Sequence, residues 1–246
     1  MLTRKTIKEN VEKTRHLFPE LQELYKNLPA TQCRCETPGV CCTTMPEMTV
    51  VEALQWLDVL GQMEPEVKLQ TLRGFLTFYL TTPLLRPACP FLENNQCRNY
   101  NHRSFACRAY GLWSVSIGNN RTIENRSNQD KILEIWKKMG VDMPPEKVGA
   151  EIDYCDRVVQ TGKPVVDDET LFKQLKKVYA LSSSLPELQQ QFESEFHSDF
   201  SYLVASLLFS SKKVLLGKFA VVKELHEKGT DSRLQKFLSK VTVEDF

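Results

Sequence analysis

No apolar run in the sequence is long enough to cross a bilayer. The longest uncharged stretch of the apolar C-terminal region, Phe200 to Ser211, has 12 residues, where a spanning helix needs about 20. The N-terminus is basic and amphipathic but has no apolar h-region and contains Glu9 and Glu12, which argues against a signal or transit peptide. Net charge is nearly absent: 32 Lys plus Arg stand against 31 Asp plus Glu, and phosphate backbones demand a concentrated basic surface. Glycine and proline are scarce, at 10 and 12, and apolar residues make up 41%, so a disordered or fibrous chain is excluded. Missing too are a Gly-rich phosphate loop, a Gly-x-Ser-x-Gly elbow and a His-Glu-x-x-His pair. These absences predict a cytoplasmic chain with no membrane or nucleic-acid partner, and a core that needs no disulfide staples.

What is present is cysteine, unevenly placed. Cys33, Cys35, Cys41, Cys42, Cys89, Cys97 and Cys107 fall in one 75-residue window, Cys155 follows, and the last 91 residues have none. Disulfide frameworks belong to small secreted domains, so thiolate ligation is the expected use. Soft thiolates select zinc, copper(I) or iron–sulfur centres. The paired Cys-x2-Cys knuckles of a zinc ribbon are absent, as is the radical-SAM spacing Cys-x3-Cys-x2-Cys. Vicinal side chains diverge, so Cys41 and Cys42 suit a polynuclear centre or two adjacent sites better than one tetrahedral ion. Between Arg86 and Arg108, the four arginines 86, 98, 103 and 108 face Glu93 alone, and guanidinium groups offset the negative charge of a thiolate centre. Phe91, Tyr100, Phe105, Tyr110 and Trp113 interleave with them, as core aromatics or as a shield from water. His102 lies five residues from both Cys97 and Cys107, as an exposed loop histidine or a further ligand.

Cys97, Tyr100, Arg103, Cys107, Arg108 and Tyr110 fit Cys-x2-Tyr-x2-Arg-x3-Cys-Arg-x-aromatic. Preceded by Cys89-Pro90-Phe91-Leu92 and by Cys41-Cys42, this block resembles the CxxCxxCC or YkgJ-type family of zinc- or iron-chelating proteins. The resemblance covers about residues 33 to 112 and extends toward Cys155 through Asp153-Tyr154-Cys155-Asp156-Arg157 and Gly162-Lys163-Pro164. It implies metal ligation by Cys33, Cys35, Cys41, Cys42, Cys89, Cys97 and Cys107, with Arg103, Arg108 and Tyr100 at the cofactor; Cys155 stays open between ligation and core packing. The family opens with Cys-x2 or x3-Cys-x2-Cys-Cys, whereas Pro38 stands here where the second cysteine falls, so Cys33 or Cys35 substitutes from another point of the loop. Three functions are compatible with the resemblance. The first is iron, as an iron–sulfur cluster, in a redox, electron-transfer or protein-modifying role beside a protein or redox partner. The second is a structural zinc module for protein interaction. The third is a methyl transferase resembling the flagellin lysine methylases with a related cysteine block, although no S-adenosylmethionine fingerprint is visible.

The fold is expected to be mainly α, a helical scaffold around an irregular Cys-rich loop region with a helical C-terminal extension. Ile7, Val11, Thr14, Phe18, Leu21, Tyr25 and Leu28 recur at helical spacing, with Pro19 ending one helix and starting another. Helices are expected over 48–60, 64–80, 129–139 capped by Ser127 or Asn128, 145–159 with Cys155 facing inward, 168–182, 186–211 and 232–241. Residues 213–225 fit strand or helix, and 86–118 read as metal-shaped loops. The break at 161–168 places a Cys-rich domain over 1–162 and a helical region over 163–246.

Overall fold

The N-terminal stripe is buried along its whole length. It lies on helices α1 (Ile7–Thr14) and α2 (Phe18–Tyr25), joined by a 3-10 turn at Arg15–Leu17. Pro19 occupies the first turn of α2, where its missing N–H has no partner to lose. The computed structural model describes residues 1–35, 39–148, 155–161 and 166–243. Strand β1 (Ala30–Cys33) precedes a 3-10 turn, Val40–Thr43, which carries Cys41 and Cys42. Helices α3 (Val50–Gln62) and α4 (Pro65–Thr81) then separate that turn from the hairpin β2 (Leu92–Glu93) and β3 (Gln96–Cys97) and the short helix α5 (Phe105–Ala109). Beyond them lie α6 (Val115–Lys138), α7 (Pro145–Val148), β4 (Val158–Thr161), α8 (Asp168–Ser182), α9 (Pro186–Phe196), α10 (Phe200–Leu208), α11 (Ser211–Lys228) and α12 (Ser232–Leu238). The described chain is therefore mainly α, and among the described residues no helix is long and apolar enough to cross a membrane.

Several expected elements differ. Helix α6 begins at Val115, not near Gln129, because Ser114 accepts a hydrogen bond from the Ile117 N–H and opens the helix there. Ser127 and Asn128 thus lie inside it. Of its expected apolar face, Trp136 is buried, but Ile132 and Ile135 are exposed. The expected helix over 145–159 is reduced to α7; residues 149–154 lie outside the described part, and Val158–Thr161 is a strand. That strand pairs antiparallel with β1, Cys33 opposite Val158 and Ala30 opposite Thr161. The expected helix over 186–211 is two: His197 and Ser198 take left-handed conformations, and Asp199 caps α10 by accepting from the N–H groups of Ser201 and Tyr202. The ambiguous segment 213–225 is helical, within α11.

Two buried constructions hold the cysteine segments to these helices. Trp56 of α3, Phe75 of α4, Phe91 and Phe200 of α10 form a ring of four edge-to-face contacts, with centroids 5.0 to 5.2 Å apart. Phe91 brings the loop after Cys89 into the core. The second is the buried carboxyl of Glu52 in the first turn of α3. It accepts from the Thr49 N–H at 2.7 Å, the Tyr25 hydroxyl, and the Phe105 N–H at 2.5 Å, so one side chain joins α2, the start of α3 and the start of α5. Burial, with the Glu52 carboxyl next in weight, pushes the Tyr25 phenol well above its ordinary range. The C-terminal helices are fastened to the same body: Val50 N–H donates to Gln189 and Ser114 N–H to Asp168, both at 2.8 Å.

Glu52→Ala removes the acceptor for four buried donors at once, the Tyr25 and Thr49 hydroxyls and the Thr49 and Phe105 N–H groups. It is expected to cost about 3 kcal/mol or more, since each unsatisfied buried group costs about 1–3 kcal/mol. Urea denaturation checks this, and a change below ~1 kcal/mol would show that these donors find other partners.

Candidate metal centre

Five of the seven expected ligands come together from four segments of chain. Cys41 and Cys42 share the 3-10 turn, Cys89 follows α4, Cys97 ends β3 and Cys107 lies in α5. The Cys89 N–H donates to the Cys42 carbonyl at 2.6 Å, which fixes the second segment against the first. The thiols are close enough to act on one another electrostatically: Cys42 feels Cys41, Cys89 and Cys107, while Cys89 feels Cys107, Cys97 and Cys41. Cys97 likewise feels Cys41, and Cys107 feels Cys97. All eight cysteines of the chain are free thiols. Among the described residues no three His, Cys, Asp or Glu side chains already close around a single ion.

Their surroundings hold the sulfur protons. Burial pushes Cys89 up to about 12 and Cys107 up to about 11, and it raises Cys97. Cys41 differs. It accepts a hydrogen bond from the Cys42 thiol, which lowers Cys41 to about 7 and raises Cys42. Opposing the burial are donors aimed at sulfur: the Phe91 N–H at Cys89, the Asn99 N–H at Cys97 and the Ser104 hydroxyl at Cys107. The first two repeat one local geometry, the N–H two residues on returning to the cysteine sulfur, and such bonds favour the thiolate.

The arginines divide by role. Arg98 is paired with Glu93 at the surface, so the excess positive charge read from the sequence is smaller at the sulfurs than it looked. Arg103 acts electrostatically on Cys41, Cys97 and Cys107, and its guanidinium lies 3.9 Å above the exposed ring of Tyr100. Arg108 donates to the carbonyls of Arg103 and Asn101 at 2.9 and 2.7 Å and lies 4.6 Å over the Tyr25 ring. The carbonyl of His102 accepts from the Trp56 indole N–H at 2.7 Å. Among the described residues, His102 Nδ1, Arg103 Nε and both side-chain amide atoms of Asn99 are buried without a hydrogen-bond partner. Of these, the Arg103 Nε–H and the Asn99 Nδ2 are donors that a bound anionic group beside the thiols would satisfy.

Cys33 ends β1 opposite Val158 of β4, and Cys35 follows two residues beyond the strand. The Cys35 N–H donates to Cys33 Sγ at 3.4 Å. A side-chain hydrogen bond with Cys33 pushes Cys35 up to about 11, with Cys155 and Arg157 also acting on it. Cys155 is half-buried in the stretch leading into β4 rather than on a helix. Residues 36–38, including Pro38, and the Asp153-Tyr154 and Gly162-Pro164 stretches of the resemblance lie outside the described residues. Sequence reasoning did not find Asn99, Ser104 and Glu52. Two signals were readable: Thr49-x-x-Glu52 is a capping box before an apolar run, and Ser104 is the N-cap of α5. No pattern marks Asn99, whose role depends on burial.

Residues 33–132 match the model of the CxxCxxCC family, described as a "putative zinc- or iron-chelating domain". That range contains all five gathered cysteines together with Cys33 and Cys35. No curated protein and no solved structure matches the chain.

Gly39 shapes the turn that carries Cys41 and Cys42. Its φ is +88°, a Cβ there would stand 2.6 Å from Leu92 Cδ2, and its carbonyl accepts from the Cys42 N–H at 2.8 Å. Gly39→Ala is expected to cost about 1–2 kcal/mol from the left-handed backbone alone and more from the contact with Leu92. A shift in the urea midpoint of the metal-free protein checks this; no shift would mean that the turn adapts freely.

Proposed function

Taking residues 33–132 as a zinc- or iron-chelating segment, we propose that the chain holds iron, as an iron–sulfur cluster, on Cys41, Cys42, Cys89, Cys97 and Cys107. The proposed use is electron transfer or redox sensing with a protein partner. The supporting observation is the donor count. Five sulfurs from four segments, two of them vicinal, exceed what one tetrahedral ion takes and fit a polynuclear centre. Ionising these thiols one by one in a buried site is costly, and a thiophilic cation among them relieves that cost, because ligation needs deprotonated sulfur.

When bound, the cluster supplies one-electron chemistry. The chain's own residues set its surroundings. The N–H groups of Phe91 and Asn99 and the Ser104 hydroxyl donate to sulfur, Arg103 contributes positive charge, and the buried rings of Phe91 and Phe105 keep water away on the core side. Donor hydrogen bonds and charge of this kind tune the potential of such a centre. Cys33 and Cys35 are not part of the proposed ligand set, because they keep company with Cys155 instead.

Anaerobic purification with metal and labile-sulfide analysis tests the reading. The expected product is a brown protein with iron and sulfide in stoichiometric amounts. Cys107→Ala is expected to lose most of the iron and much of the soluble yield, while a Cys33→Ser/Cys35→Ser double variant keeps both. A colourless protein with stoichiometric zinc would replace this reading with a structural zinc module, and normal iron in Cys107→Ala would remove Cys107 from the site.

A further inference from the structure

On the opposite part of the chain, helices α11 and α12 present facing stripes. Lys213, Leu216, Gly217 and Ala220 fall at helical spacing on α11. Arg233, Lys236 and Phe237 do so on α12, with Lys240 just beyond its end. Together they line a groove of about 320 Å³. Its floor is apolar. Phe237 lies across Gly217, where a Cβ would stand 2.5 Å from the ring, and it meets Phe209 edge-on at 5.2 Å. Leu216 beside it is 53% exposed.

The rim carries one sign of charge. Lys213, Arg233, Lys236 and Lys240 are all exposed, no Asp or Glu lines the groove, and none of the four is in an ion pair among the described residues. The next depression along the same helices shows the contrast. There Lys223 pairs with Glu227 at 3.8 Å, and Glu224 accepts from the backbone N–H of Arg233 at 2.7 Å, so acidic side chains stand among the cations of that depression, which shares Arg233 with the groove. In a chain whose formal charge is only +1, four like charges round an apolar floor repel one another until an anion arrives.

We propose that this groove docks an acidic peptide segment of a protein partner, with an apolar side chain of the segment seated on Leu216 and Phe237. Charge complementarity selects the acidic character, and the apolar floor selects the side chain. A concave channel between two helices fits an extended or helical segment better than a flat bilayer, and four cations are few for a nucleic-acid track.

The test is fluorescence polarisation with the full chain and a fluorescein-labelled peptide of alternating glutamate and leucine. Saturable binding that weakens with added salt is expected. Reversing two rim charges, Lys236→Glu with Lys240→Glu, is expected to weaken it about 10-fold or more. Leu216→Gln should weaken it at least about 5-fold. These sites are exposed, so circular dichroism should be unchanged; Lys213→Glu provides an independent substitution if either variant loses its fold. Absence of binding, equal binding of the peptide with glutamine for glutamate, or unchanged affinity in the variants would overturn the proposal. Tighter association with anionic vesicles or duplex DNA than with the peptide would overturn it as well.

Discussion

Phe91 ties the thiol cluster to the body of the protein. Its ring closes a four-membered aromatic box with Trp56, Phe75 and Phe200, its N–H points at the Cys89 sulfur, and its carbonyl accepts from the Arg98 N–H at 2.7 Å. Burying an aromatic side chain of this size is worth about 1.5–3 kcal/mol, and edge-to-face contacts add to that. The loop has little regular structure of its own, only the two-residue strands β2 and β3. Without that burial, nothing in local backbone preference would hold Cys89 and Cys97 near the turn at Cys41. Glu52 does the same for Cys107 by a polar route, receiving the Phe105 N–H at the start of α5.

The cluster sets two opposing demands on one small volume. Apolar packing places the sulfurs accurately but disfavours their charge, which is why Cys89, Cys97 and Cys107 are all raised. The hydrogen bonds from Phe91, Asn99 and Ser104 and the nearby Arg103 lean the other way. The balance keeps Cys89, Cys97 and Cys107 raised in a site whose dipoles are already oriented for thiolates. Such preorganisation lowers the reorganisation needed when protons are exchanged for metal.

Long periodic stripes carried most of the fold into view from the sequence. The faces of α1 and α2, the pair α3 and α4, and α8 all bury side chains at the expected spacing, because a helix packed on one side needs that period. What escaped was set by single residues or by distant pairing. The cap at Ser114 starts α6 in a polar stretch with no apolar period, the left-handed pair His197-Ser198 divides an apolar run, and β4 forms only because β1 offers it a partner. At the site, residue type and order singled out the cysteines. Their division, five in one group and Cys33 and Cys35 beside Cys155, depends on tertiary pairing that no spacing encodes.

The ribbon of β1 and β4 has a consequence for biosynthesis. It joins Cys33 to Val158, a loop closure of about 125 residues, whose entropic cost grows only slowly with length but whose second half is made last. A chain emerging from the ribosome exposes the whole thiol block before the segment that completes this clasp exists. The order of synthesis therefore puts the whole block ahead of the strand that closes the ribbon.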